Sequence, residues 1–229
     1  MILLQRHTGH DKARRFFTPD NSSSYDSVVR FTTLGRDYVW KKKIIEMIEK
    51  ETLILDLACG TGILSSLIAY SNNTRKVVGL DLIFPYLESV KKKTDKISLM
   101  NGTAEILPYK NKSFGSVVSS YLAKYVNIEM VVAECWRVLE DNGTVIFHDF
   151  TFPQNTVIRH MWRAYFLILR SSGLLVKNWA IVFRELDQVI INSKWITNTR
   201  DALKQTGFRD IKCTYYNLGI SAIISASKP

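Results

Sequence analysis

Two aspartates frame the chemistry this sequence can do. Asp56 follows the apolar run Leu53-Ile54-Leu55 and precedes Leu57-Ala58-Cys59-Gly60-Thr61-Gly62, a small-residue turn leading into a second apolar run, Ile63 to Ala69. Asp81 ends the next apolar run, which begins at Lys76, and lies nineteen residues after Gly62. Glycine turns of this kind hold nucleotides, because a residue without a side chain lets the backbone come close to a ligand. A dinucleotide turn, however, follows G-x-G-x-x-G, and Gly60-Thr61-Gly62-Ile63-Leu64-Ser65 has serine in the third place. A phosphate loop needs Gly-Lys-Ser/Thr, and none follows. Asp56 argues the same way, since a carboxylate before the turn repels a pyrophosphate and attracts a cation. S-adenosylmethionine meets these conditions: it has a sulfonium and an ammonium, no phosphate, and ribose hydroxyls that a strand-end acid such as Asp81 can accept.

These residues need a frame. Short apolar runs alternate with helical patterns: strands at Leu53–Leu55, Lys76–Asp81, Ile97–Met100, Phe114–Ser120 and Thr144–Phe147, and helices at Arg36–Lys50, Ile63–Ala69, Phe84–Lys93 and Ile128–Leu139. Regular alternation predicts a parallel sheet covered by helices on both faces, and near-continuous apolar strands fit burial on both sides. Residues 1–24 are polar and basic and read as a loose arm. Residues 151–195 break the rhythm with aromatics (Trp162, Tyr165, Phe166) set among Arg159, His160, Arg163 and Arg170. A helix beginning near Asp201 is stopped by Gly207, and two closing strands follow at Ile211–Tyr216 and Ile220–Ser225.

The chain has 229 residues, 46% of them hydrophobic and 23% charged, enough to bury a core and too apolar for a disordered chain. Its formal net charge of +10 leaves anionic lipid, nucleic acid and acidic substrates open as partners. Cys59, Cys135 and Cys213 are far apart and form no Cys-x-x-Cys, so neither a disulfide framework nor a metal site is expected, and a reducing cytoplasm fits. No apolar run is long enough to span a bilayer. The expectation is a cytoplasmic protein able to touch a membrane from its surface.

Leu55-Asp56-Leu57-Ala58-Cys59-Gly60-Thr61-Gly62 resembles the first motif of class I S-adenosylmethionine-dependent methyltransferases. Asp81 matches their ribose-binding acid, and Asn101 to Tyr109 resembles the segment that lies against adenine. Ser113 to Val118 resembles their strand-four motif, and Arg137-Val138-Leu139-Glu140-Asp141-Asn142-Gly143 their helix-to-strand turn. The resemblance implies a Rossmann-like fold, a mostly parallel seven-stranded sheet with helices on both faces and a helical cap. It divides one methyltransferase domain into an N-terminal arm and helix (1–50), a cofactor core (51–150), a cap (151–195) and a closing helix with antiparallel strands (196–229). It assigns the cofactor to Asp56, Ala58, Cys59, Gly60, Thr61, Gly62, Asp81, Leu82, Thr103, Ala104, Glu105 and Ser119. Thr103 departs from the pattern, which usually has an acid there, and so does Gly115, where an aspartate is usual.

Within that superfamily the chain is most similar to the ubiquinone/menaquinone C-methyltransferases. The likeness is carried by Tyr25-Asp26, Gly35, Trp40-Lys41-Lys42, Asp149-Phe150-Thr151-Phe152-Pro153, Phe183-Arg184-Glu185-Leu186 and, loosely, Asn217-Leu218-Gly219 with Lys228. It implies methyl transfer to a small lipophilic acceptor such as a demethylated quinol precursor, with Asp149 and Arg184, or His148 as a base, on the acceptor side. After strand four, where that family has Phe-Gly-Leu-Arg-Asn, this chain has Tyr121-Leu122-Ala123-Lys124-Tyr125. The altered lip leaves the acceptor open. An RNA methyltransferase, or a sensor that binds the cofactor without turnover, stands as the alternative. The aromatic and basic insert would cap an apolar tunnel, rest on anionic lipid, or simply pack on the sheet with its arginines in solvent.

Overall fold

The computed structural model describes residues 2–48, 50–173 and 176–229, with side chains from Gly9 onward. The chain begins with helices α1 (Ile2–Phe16), α2 (Pro19–Ser22), α3 (Tyr25–Thr32) and α4 (Arg36–Met47). The core alternates: β1 (Leu53–Leu57), α5 (Ile63–Ser71), β2 (Lys76–Asp81), α6 (Phe84–Lys93), β3 (Ile97–Asn101), β4 (Phe114–Ser120), α7 (Ile128–Val138) and β5 (Leu139–Phe150). Helices α8 (Thr156–Ser172), α9 (Ala180–Ser193) and α10 (Trp195–Thr206) lead to β6 (Arg209–Tyr216) and β7 (Ser221–Ser227).

The seven strands form one sheet in the order β3-β2-β1-β4-β5-β7-β6. The first five are parallel, and β7 runs antiparallel to both β5 and β6. This is the expected Rossmann-like arrangement. The chain moves outward from β1 to β3 and then returns to β4, so the crevice beyond the carboxyl ends of β1 and β4 is a switch point where open α/β sheets take ligands. One face of the sheet packs on α7 and α10 through residues such as Val131, Cys135 and Leu203. The other face packs on α4, α5 and α6 through Ile44, Ile68 and Val90.

The N-terminal segment departs from the expected loose arm. It folds into helices because tertiary contacts replace the missing apolar stripe. Phe16 is fully buried, edge-on to the Tyr125 ring. Asn21 is fully buried too: its side chain donates to the Phe16 carbonyl at 2.7 Å and accepts from Tyr86 Oη at 2.6 Å. A Cβ on Gly9 would stand 2.1 Å from the Tyr125 carbonyl oxygen, so only glycine lets α1 come this close. The insert is helical, as expected of a cap. Trp162, Phe166 and Leu169 of α8 join Trp179, Phe183 and Ile190 in a third apolar cluster, while Met161 of the same helix is exposed. Of the segments anticipated from sequence, Glu49 at the end of the helix over 36–50 and residues 174–175 of the insert lie outside the described residues.

Candidate active site

The turn after β1 is built by conformation. Ala58, Gly60 and Gly62 all have positive φ (56°, 55° and 80°), which costs a glycine little. At Gly62 a Cβ would meet both Val90 methyls at 3.0 Å, so here glycine also lets α5 and α6 pack. Asp81, at the end of β2, ties the turn down. One carboxylate oxygen accepts the Gly60 N–H at 2.7 Å and the other the Ile83 N–H at 2.8 Å. Burial pushes its pKa up to about 6.

Asp81 and Leu82 line a cavity at the switch point with Ala58, Gly60, Thr103, Ala104 and Glu105. The N-terminal segment covers it. His10 meets Glu105 at 2.8 Å, and Ala13, Phe17 and Tyr25 reduce the free space to about 80 Å³. Glu105 also accepts from Thr103 Oγ1 at 2.8 Å, which pairs two of the expected cofactor residues directly.

Five other residues expected at the cofactor do not line this cavity and are engaged in the frame. Asp56 is buried away from the cavity and accepts from Ser65 Oγ at 2.5 Å; desolvation lifts its pKa to about 7. Its carboxylate is held within the β1–α5 junction. Cys59 packs on Gly79, where an added Cβ would lie 2.8 Å from Sγ. Thr61 donates to Asp26 at 2.5 Å, and Asp26 in turn takes Lys93 Nζ at 2.5 Å. Gly62 lies against Val90, and Ser119 donates to the Leu57 carbonyl at 2.8 Å. The residues that sequence reasoning missed, His10, Phe17 and Tyr86, come from remote elements and carry no motif of their own.

A second cavity of about 510 Å³ adjoins the first under α8 and α9. Its lining is mostly apolar: Trp40, Phe150, Trp162, Phe166, Phe183 and Ile190 among others. Phe17, Tyr25, Tyr121 and Tyr125 line both cavities and form an aromatic partition. The cations Arg36 and Lys124 line the second cavity; Lys124 is buried and bonded to Asp149 Oδ1 at 2.6 Å. Among the described residues, Asp149 Oδ2 has no hydrogen-bond partner. Desolvation raises the Asp149 pKa and lowers that of Lys124, each opposed by the attraction of its partner.

The structure places the other two acceptor-side residues, Arg184 and His148, apart from both cavities. Arg184 points to solvent, 69% exposed, and among the described residues it pairs with Glu185 at 3.5 Å; it lines neither cavity. His148 is buried with both ring nitrogens engaged, one by Ser120 Oγ at 3.0 Å and the other by Ser221 Oγ at 2.9 Å. Desolvation, with Lys41 and Lys124 nearby, holds its pKa well below the histidine range. It is a buried, neutral imidazole held between two serines. Asp149 reaches the second cavity through its pair with Lys124, which lines that cavity.

A glycine turn, a strand-end acid on two backbone amides and an adenine-type segment, gathered at the switch point of a seven-stranded sheet with β7 reversed, define the class I methyltransferase architecture. Solved structures agree on the fold. A protein of Methanococcus maripaludis described as an S-adenosyl-L-methionine-dependent methyltransferase aligns with TM-score 0.67 at 16% identity, over 92% of this chain and 93% of its own. The geranyl diphosphate C-methyltransferase of Streptomyces coelicolor aligns with TM-score 0.60 at 10% identity, over 84% and 79%. The particular family follows from the sequence: residues 8–228 match the ubiE/COQ5 methyltransferase family, and the chain belongs to it. It is an S-adenosylmethionine-dependent methyltransferase. Similar proteins include a demethylmenaquinone methyltransferase of Lactobacillus johnsonii, 29% identical over 209 residues, covering 87% of this chain and 86% of that one. The ubiquinone/menaquinone biosynthesis C-methyltransferase UbiE of Campylobacter jejuni is 25% identical over 222 residues, covering 90% and 93%.

Proposed function

We propose that this methyltransferase acts on a demethylated quinol precursor whose ring lies at the aromatic partition and whose lipophilic tail fills the second cavity. The observation that carries this is the 510 Å³ apolar cavity sharing Phe17, Tyr25, Tyr121 and Tyr125 with the cofactor cleft. A nucleic acid would need a cationic groove with open aromatic faces, whereas these rings are enclosed. The names of the relatives, demethylmenaquinone methyltransferase among them, support the same acceptor class.

The residues present fit the cofactor. Both Asp81 oxygens accept backbone N–H groups, and a carboxylate has about four lone-pair sites, which leaves acceptor capacity for a ribose hydroxyl. Ala58, Gly60 and Leu82 present backbone to the same space. Bound there, S-adenosylmethionine supplies an electrophilic methyl group. The chain contributes alignment, exclusion of water by the N-terminal helices, and the Lys124 ammonium, which faces the acceptor and stabilises its oxygen as charge develops.

The mouth of the second cavity supports contact with a membrane surface. Leu34, Met161 and Leu218 line the cavity yet are 80%, 63% and 74% exposed, and Phe31 beside them is 73% exposed. Arg36 lines the same cavity, and Arg159 and Arg163 of α8, the helix that also carries Met161, stand over the Phe152 ring. An apolar ring edged with cations suits an anionic lipid surface, from which a prenylated acceptor would enter. Among the described residues no helix is long and apolar enough to cross a membrane.

The test is methyl transfer to reduced, demethylated naphthoquinones carrying prenyl tails of increasing length, with products identified by mass spectrometry. A kcat/KM that climbs with the tail until the cavity is filled is expected. No methylated product, or indifference to the tail, would refute the assignment.

A further inference from the structure

Tyr121 does not fit the role of a passive wall residue. It follows β4 with φ of +68°, a conformation that a bulky aromatic residue adopts only under constraint. Three contacts impose it: its N–H donates to the His148 carbonyl at 2.8 Å, its ring stacks on Phe150 at 4.7 Å, and its hydroxyl donates to Asp37 Oδ1 at 2.7 Å. Asp37 is buried in α4 and paired with Lys41, four residues on. Of the four side chains shared by the two cavities, Tyr121 is the one whose hydroxyl bonds a carboxylate. The resembled family has phenylalanine at this place in the motif after strand four, so the hydroxyl is this chain's own.

We propose that Tyr121 is a catalytic proton relay, taking the acceptor's hydroxyl proton on its phenolic oxygen while passing its own to Asp37. The inference rests on the acceptor assignment made above. The acceptor O–H bond breaks and its electron pair stays on oxygen, giving a phenolate whose ring carbon is the nucleophile. The incoming proton binds Tyr121 Oη, and the proton Tyr121 held moves along the existing hydrogen bond to Asp37 Oδ1. After methylation the ring carbon loses its hydrogen to water. The proton on Asp37 then returns through Tyr121 to the acceptor oxygen, restoring the phenol. No electron carrier is involved.

The charged groups around Tyr121 suit this path. From α4, Asp37 receives the proton and the Lys41 ammonium lies 4.9 Å from the ring centroid. From the segment after β4, Lys124 lies 5.4 Å from it and is paired with Asp149 of β5. His148 of β5 is neutral, and Tyr25 of α3 faces the same space from across the partition. Two ammonium groups thus flank the ring where negative charge builds up on the acceptor.

The measurement is kcat against pH, from 6 to 10, for the wild type, Tyr121→Phe and Asp37→Asn with a reduced demethylated prenyl naphthoquinone. At pH 7 both variants should turn over about 10²-fold more slowly, the low end of general-base catalysis. KM and the cofactor Kd should stay within about 3-fold, since the relay adds nothing to ground-state binding. The deficit should shrink towards pH 10, near the ordinary phenol pKa of about 10, where the acceptor ionises unaided. A wild-type kcat in Tyr121→Phe at pH 7, or a deficit constant across the range, overturns the relay. Should Tyr121→Phe fail to melt cooperatively, Asp37→Asn made together with Lys41→Met, which leaves no buried ammonium unpaired, decides by the same criterion. A wild type that methylates no quinol at any pH overturns the acceptor assignment and the relay with it.

Discussion

Replacing Asp81 by alanine tests the cofactor cleft at its most loaded point. The substitution orphans two backbone N–H groups, those of Gly60 and Ile83, and removes the acid that faces the cavity. A hydrogen bond to a charged group contributes about 1.5–3 kcal/mol, so losing a ribose contact should weaken S-adenosylmethionine binding by about 10- to 150-fold. The two orphaned amides cost about 1–3 kcal/mol each, which for a chain of this size lowers Tm by roughly 4–20 °C. Titration with pH separates these effects. Burial raises the Asp81 pKa from 3.8 to about 6, so the folded chain holds a proton that the unfolded chain releases. The stability this contributes is full below about pH 4 and is lost as pH rises through about 6. Hydroxyl donors favour the ionised form, so cofactor affinity should increase over the same interval, with a proton released on binding. Calorimetry in two buffers of different ionisation enthalpy reads both. Wild-type affinity in Asp81→Ala, or pH-independent binding between 5 and 7, would refute the role given to this carboxylate.

Gly62→Ala places a Cβ 3.0 Å from both Val90 methyls at a φ of +80°. Strain of this kind costs about 1–3 kcal/mol, read as a shift in the urea midpoint. Arg184→Gln should leave kcat and KM within about 2-fold, because an exposed charge of this kind contributes little; a large loss would place Arg184 at the acceptor after all. Lys124→Met leaves Asp149 buried and uncompensated and should cost about 3–5 kcal/mol, more than Lys124→Met combined with Asp149→Asn. Leu34→Ser with Leu218→Ser should lower partitioning onto anionic vesicles by about 10-fold or more, since burying each leucine contributes about 1.5–3 kcal/mol; unchanged vesicle binding would count against the rim.

The core was legible because its rules are local. Period, turn residues and strand-end acids delimit Lys76–Asp81, Phe84–Lys93 and Phe114–Ser120, each found with the bounds expected. The longer-range features were not. Helix α1 has no apolar stripe to announce it, and is held by Gly9, Phe16 and the His10–Glu105 pair, partners a hundred residues away. Asp56 shows the limit within a motif. Its place before the turn was evident, but the side chain turns to Ser65 of α5, which only the packed junction fixes. On the acceptor side, Asp149 and His148 lie next to each other in sequence, yet burial gives them unrelated partners: Lys124 for one, two serines for the other. Arg184 belonged to a family-like run, and its exposure on α9 could not be read from that run.

The central claim is methyl transfer to a lipophilic quinol across the aromatic partition. Its most direct test offers one reaction both a reduced demethylated prenyl naphthoquinone in anionic vesicles and transfer RNA, with S-adenosylmethionine labelled in the methyl group. Label should enter the quinone fraction as a ring-carbon methyl and leave the RNA unlabelled. Label in RNA, or none in the quinone, would contradict the account.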